Sequence, residues 1–183
     1  MISETGVWGE EDQHAHIFSY EVARFIAKLL SKSIIIYDFG CGKGTYTQYF
    51  NDIGILSCGF DGYKIKENGI PIKQQDLTKS FVLNVKSSII CLEVWEHIPQ
   101  QYEETFIDNL VNNLKGYLIL SVALPGQEGL GHVNCQTNEE VINKLTARGL
   151  TFCLELTEQI RKVPENYVAY FRDTLMIFKN DNI

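Results

Sequence analysis

The chain is short of positive charge. Sixteen Lys and Arg against 23 Asp and Glu leave a formal net charge of -7. A protein that coats nucleic acid usually shows a basic face, so nucleic acid is not an expected partner. No apolar run reaches the roughly 18 residues of a membrane span, and no membrane association is expected. The opening residues, Met1 to Asp12, have neither a basic stretch nor an apolar run, so a secretory leader is not expected either. The five cysteines (Cys41, Cys58, Cys91, Cys135 and Cys153) are scattered and form no C-x-x-C pair. That spacing argues against a disulfide framework or a zinc ribbon and reads as reduced thiols in the cytoplasm. There is no repeat, low-complexity tract or linker. A chain of 183 residues fits one domain, 1–183, with an N-terminal arm and helix over 1–32 and a core over 33–183.

What is present is an alternation of apolar strands and amphipathic helices. The spacing predicts a helix from His16 to Leu30, then strands at Ser33–Phe39, Ile55–Phe60, Ile70–Gln75, Ser88–Leu92 and Tyr117–Ala123. Helices are expected at Lys43–Asp52 and Gln100–Leu114. Thr137 with Glu140 reads as a capping box opening another helix, which Gly149 stops. Thr151–Leu156 and Thr174–Lys179 read as two last strands. The expected fold class is α/β: a Rossmann-like, seven-stranded, mostly parallel doubly wound sheet with a late antiparallel strand.

The densest signal is the stretch from Ile34 to Tyr46. An apolar run ends in Asp38, then Gly40, Gly42 and Gly44 alternate, then a helix begins. Such a turn brings bare backbone against a nucleotide-like ligand. The spacing is neither G-x-G-x-x-G nor a P-loop. Asp38, Asp61, Asp76 and Glu93 all fall at carboxyl ends of predicted strands, where open α/β sheets bind ligands.

These residues, together with the E-V-W-E-H-I-P segment from Glu93 to Pro99, resemble the class I S-adenosylmethionine-dependent methyltransferases of small-molecule type. The resemblance spans about Tyr37 to Lys179 and implies S-adenosyl-L-methionine as cofactor. It implies that Gly40, Cys41, Gly42 and Gly44 lie against the methionine and ribose, with Asp38 positioning the amino group. Asp61, followed by Gly62, would take both ribose hydroxyls. Asp76 would meet the adenine amino group, with Leu77 packed beside it, and Glu93 would close the methionine side.

Methyl transfer is a displacement at a sulfonium carbon that is already activated. The protein mainly has to align a nucleophile, exclude water and remove a proton where the nucleophile still has one. His132, in the glycine-rich loop after the fifth strand, and His97 are the expected catalytic residues. Glu93, Glu96 and His97 stand at i, i+3 and i+4 and share a face if the turn there is helical. With His132 they form a candidate set for magnesium or manganese. That set resembles the metal site of small-RNA 3′-terminal 2′-O-methyltransferases. The expected reaction is methylation of an oxygen, or a nitrogen, of a small molecule, with a sugar suited to so polar a pocket. The alternatives are a metal-dependent RNA 2′-O-methyltransferase and a regulatory protein that binds the cofactor without turnover. His14 and His16 precede the first helix, where the arm has the reach to fold over the cofactor with Trp8 as anchor.

Overall fold

A computed structural model describes residues 2–9, 17–63 and 69–181. The predicted histidines His14 and His16 lie outside the described residues. The elements run α1 (Tyr20–Leu29), β1 (Ile36–Phe39), α2 (Thr45–Asp52), β2 (Ser57–Asp61), β3 (Ile72–Gln74), β4 (Ser87–Leu92), α3 (Glu103–Asn113), β5 (Leu114–Ser121), α4 (Asn138–Thr146), β6 (Thr151–Phe152), α5 (Leu154–Ile160), α6 (Phe171–Thr174) and β7 (Met176–Asn180). The seven strands pair in the order β3-β2-β1-β4-β5-β7-β6. The pairs from β3 to β5 are parallel, and β7 runs antiparallel to both its neighbours.

Strand direction follows from burial on both sides. Alternate residues of the central strands point to opposite faces. Ile36, Ile90, Ile119 and Ile177 join Val22 and Ile26 of α1, Phe50 of α2 and Ile160 of α5. Tyr37, Phe39, Ile89, Cys91, Leu118 and Leu120 join Phe106 and Leu110 of α3 and Val141 of α4. A strand covered on both faces has no room for alternating polar residues, which is why these segments read as continuous apolar runs.

The capping box forms as expected. Thr137 Oγ1 accepts the Glu140 N–H, and Glu140 Oε2 accepts the Thr137 N–H. The segment expected as one strand, Thr151–Leu156, breaks after two residues and becomes α5. Its buried residues Thr157 and Ile160 share one helical face, and Thr157 Oγ1 accepts the Ile177 N–H at 3.0 Å. Packing against β7 therefore favours a helix there. At the start, Ser19 caps α1 by accepting the Val22 N–H, so that helix begins four residues later than its periodicity suggests. No helix among the described residues is long and apolar enough to cross a membrane.

Strand order reverses on either side of β1, between its outward neighbours β2 and β4. The loops leaving those strands diverge there and open a crevice at their carboxyl ends.

Candidate active site

That crevice is a cavity of about 520 Å³, within the ~300–1,000 Å³ range of small-molecule sites. Asp38, Gly40, Cys41, Asp61, Gly62, Asp76, Leu77, Glu93, Glu96, His97 and His132 all line it.

The glycine turn is locked from two directions. Gly40 and Cys41 both donate their N–H to the Phe60 carbonyl, and Gly42 donates to Asp61 Oδ2 at 2.9 Å. Gly40 has φ +75°, and a Cβ there would run into the Val94 side chain, so only glycine fits. Gly44 (φ +79°) opens α2 and faces β3 instead, since a Cβ would meet Ile72 Cδ1 at 2.5 Å. Asp61 accepts a backbone N–H on each oxygen: Gly42 on Oδ2 and Tyr63, at 2.8 Å, on Oδ1.

Asp38 is buried, and its Oδ2 accepts the Thr47 hydroxyl at 2.9 Å. Burial pushes its carboxyl up to about 7, and the charge of Asp61 adds to the shift. Asp76 does not cap an α-helix. Its Oδ1 accepts both the N–H and the hydroxyl of Thr78, tying a turn beside the buried Leu77.

Beyond β4 the chain departs from the expected helical turn. Glu93 has φ +54°, an uncommon conformation for a residue with a side chain, and its N–H is held by Ser121 Oγ at 2.9 Å. The next turn, Trp95–His97, is a 3₁₀ turn. Glu93, Glu96 and His97 therefore do not lie along one α-helical face. Potential ligand atoms of Glu96, His97 and His132 lie within 4.8 Å of one another, and Glu93 is not part of that group. Glu93 stays beside Glu96 but outside the three-residue group, so the predicted four-residue set reduces to three.

Glu96 is fully buried, and neither carboxyl oxygen has a hydrogen-bond partner. Burial drives its carboxyl well above the ordinary range, and Glu93 beside it adds to the rise. Burial also pushes Glu93 up to about 7. His97 Nδ1 lies 3.1 Å from the Gly131 carbonyl, and His132 Nδ1 lies 3.0 Å from that of Gln127. A carbonyl only accepts, so each Nδ1 carries a proton. In the neutral ring the lone pair then sits on Nε2. The two rings meet edge to face at 5.1 Å.

A buried polar network holds the His132 loop in place. Glu103 Oε1 accepts Trp95 Nε1–H at 2.9 Å and Asn134 Nδ2–H at 3.0 Å, and Glu103 Oε2 pairs with Lys144 at 2.8 Å. The Val133 and Asn134 N–H groups donate to the Glu96 carbonyl. Trp95 therefore packs in the core and does not line the pocket.

The N-terminal arm supplies wall residues that sequence reasoning gave no role: Thr5, Gly6 and Val7. Ser3 closes a tight turn by accepting the Val7 N–H, Val7 packs over Gly62, and Trp8 meets His97 edge to face at 4.9 Å. The available signal was the apolar pair Val7-Trp8 in an otherwise acidic stretch. Tyr46 and Tyr170 also line the cavity, whereas Tyr167 is exposed.

The model of the methyltransferase domain matches residues 13–157. The chain belongs to that family. No curated protein matches it. The fold recurs in magnesium protoporphyrin IX methyltransferase from Synechocystis, solved with S-adenosylhomocysteine. Identity is 18%, coverage is 87% of this chain and 82% of that one, and the TM-score is 0.60. It recurs in the N-methyltransferase NodS from Bradyrhizobium japonicum, also with S-adenosylhomocysteine, at 18% identity, 88% and 86% coverage and TM-score 0.60. A third is 1,6-didemethyltoxoflavin-N1-methyltransferase from Burkholderia thailandensis, at 16% identity, 88% and 79% coverage and TM-score 0.60. The methyltransferase described here thus has the fold of the S-adenosylmethionine-dependent enzymes, with its cavity at the switch in strand order.

Proposed function

We propose that this methyltransferase transfers the methyl group of S-adenosylmethionine to an oxygen, or a nitrogen, of a small molecule, a sugar being one class that suits the pocket. The observation that carries the reading is one cavity shared by two chemistries. Asp61 lines it at the carboxyl end of β2 with the glycine turn, and Glu96, His97 and His132 line it with ligand atoms within 4.8 Å of one another. The solved enzymes of this fold that hold S-adenosylhomocysteine support the choice of donor.

In this reading Asp61 takes the two ribose hydroxyls and Asp76 with Leu77 receives the adenine. Asp38 meets the ammonium of the methionine part, whose charge would draw the buried carboxyl into its ionised form. Gly40, Cys41, Gly42 and Gly44 shape the turn under the ligand, Gly62 admits the strap over it, and Glu93 closes the methionine side. The acceptor stands between the sulfonium and His132. Nε2 of His132, fixed as the basic nitrogen by the Gln127 carbonyl, takes the proton as the methyl bond forms. His97 is the second base in reach. The arm over 1–32 excludes water, and the core over 33–183 holds the cofactor. Free cysteines among the described residues fit a cytoplasmic setting.

A second reading gives the acceptor end a divalent metal. Glu96, His97 and His132 place ligand atoms within 4.8 Å of one another, and both Nδ1 groups are oriented by backbone carbonyls, as in many metal sites. Magnesium or manganese bound there would acidify an acceptor hydroxyl. An RNA 2′-O-methyltransferase would be one enzyme built that way. The deciding experiment incubates the enzyme with labelled S-adenosylmethionine and a metabolite extract, with and without chelator. Label in a small product in chelator supports the first reading. Bound cofactor with no labelled product under any condition supports a regulatory, non-catalytic protein instead.

A further inference from the structure

The charge inside the cavity is one-sided. Among the described residues its wall carries six carboxylic acids, Asp38, Asp61, Asp76, Glu93, Glu96 and Glu128, and neither a lysine nor an arginine. The glycine turn does not make up the difference. The N–H groups of Gly40, Cys41 and Gly42, which in many glycine turns cradle a phosphate, are already given to Phe60 and Asp61. At the acceptor end stands Glu96, with no exposed surface and no partner on either carboxyl oxygen. A buried polar group in that condition is destabilising until a partner reaches it. His132 faces the same space with its Nδ1–H already engaged, which leaves Nε2 as an acceptor.

From these observations we infer that the acceptor carries no phosphate or carboxylate and is held through its own hydrogen-bond donors at Glu96 and His132. The inference rests on the small-molecule methyl-transfer reading and narrows it to neutral or cationic molecules bearing hydroxyl or amino groups. An anionic acceptor would enter a pocket whose described wall offers no lysine or arginine to pair with it, so its charge would lose water without gaining a fixed partner. Nucleotides, phosphorylated sugars and nucleic acid fall on the unfavourable side. A metal on Glu96 would reverse that preference, so the two ideas are separable.

The test uses full-length protein saturated with S-adenosylhomocysteine in the presence of chelator. Glucosamine and glucosamine 6-phosphate differ by the phosphate alone. Glucosamine should raise the melting temperature, the phosphate ester should not, and Glu96→Leu should abolish the rise. The melting curve of the variant itself shows that it folds; where it does not, His132→Ala carries the same comparison. Equal or greater stabilisation by the phosphate ester overturns the inference, as does the absence of a rise with glucosamine. So does phosphate-ester binding that appears when Mn²⁺ replaces the chelator. In parallel, products labelled from a metabolite extract are separated by charge. Label in the neutral or cationic fractions is expected, and label retained on an anion exchanger overturns the inference. Absence of label from every fraction refutes turnover itself, and the melting comparison then decides the charge preference alone.

Discussion

Replacing Asp61 by alanine tests the cofactor assignment at its most connected point. The carboxylate has two jobs. It accepts the Gly42 N–H at 2.9 Å and the Tyr63 N–H at 2.8 Å, and in the proposed reading it also meets the two ribose hydroxyls. A hydrogen bond to a charged group contributes about 1.5–3 kcal/mol, so losing two removes about 3–6 kcal/mol of binding. At about 1.4 kcal/mol per decade, affinity for S-adenosylhomocysteine falls by roughly 10²- to 10⁴-fold. The orphaned Gly42 N–H, which is buried, adds about 1–3 kcal/mol of lost stability, and the Tyr63 N–H loses its partner with it. Calorimetric titration measures the first effect and thermal unfolding the second. A cofactor analogue lacking both ribose hydroxyls supplies the control. Wild type and variant should bind it with nearly equal affinity, because the interaction being cut is already absent. Undiminished binding of S-adenosylhomocysteine by Asp61→Ala would refute the assignment. An equal loss for the analogue would mean that Asp61 acts only by holding the turn.

Other outcomes are expected as follows. His132→Ala should lower turnover by about 10²- to 10⁴-fold while S-adenosylhomocysteine affinity changes little; joint loss in kinetics and calorimetry would mark a structural histidine. Full activity in chelator is expected if His132 acts as the base, and a collapse restored by Mg²⁺ or Mn²⁺ would establish the metal reading. Asp38, raised to about 7, binds more protons in the native than in the unfolded state from its ordinary value of 3.8 upward. It therefore draws stability down as pH rises across that window. The ammonium of the ligand reverses the preference at the site. Binding near pH 7 should release a proton, visible as a calorimetric enthalpy that changes with buffer and lost in Asp38→Asn. A buffer-independent enthalpy in wild type would contradict it.

The sheet and its glycine turn were readable because they depend on local patterns. Apolar runs ending in acids, alternating glycines and the Thr137–Glu140 box each state their geometry within a few residues. The β7 reversal was expected from a final pair of strands, although the first of them keeps only Thr151–Phe152 and α5 and α6 stand between it and β7. What escaped depends on distant partners. Leu154–Ile160 looks extended until β7 is in place to receive Thr157 and Ile160. Glu93, Glu96 and His97 have helical spacing, but the Ser121 bond to Glu93 and a 3₁₀ turn set a different one. The union of Glu103 with Trp95, Asn134 and Lys144 joins segments about 40 residues apart, and no periodicity announces it.

The N-terminal turn ties two parts of the cavity wall together. Val7 lies over Gly62, while Trp8 lies against His97. One short piece of chain thus holds both segments, so a substitution that loosens the turn loosens its hold on both at once.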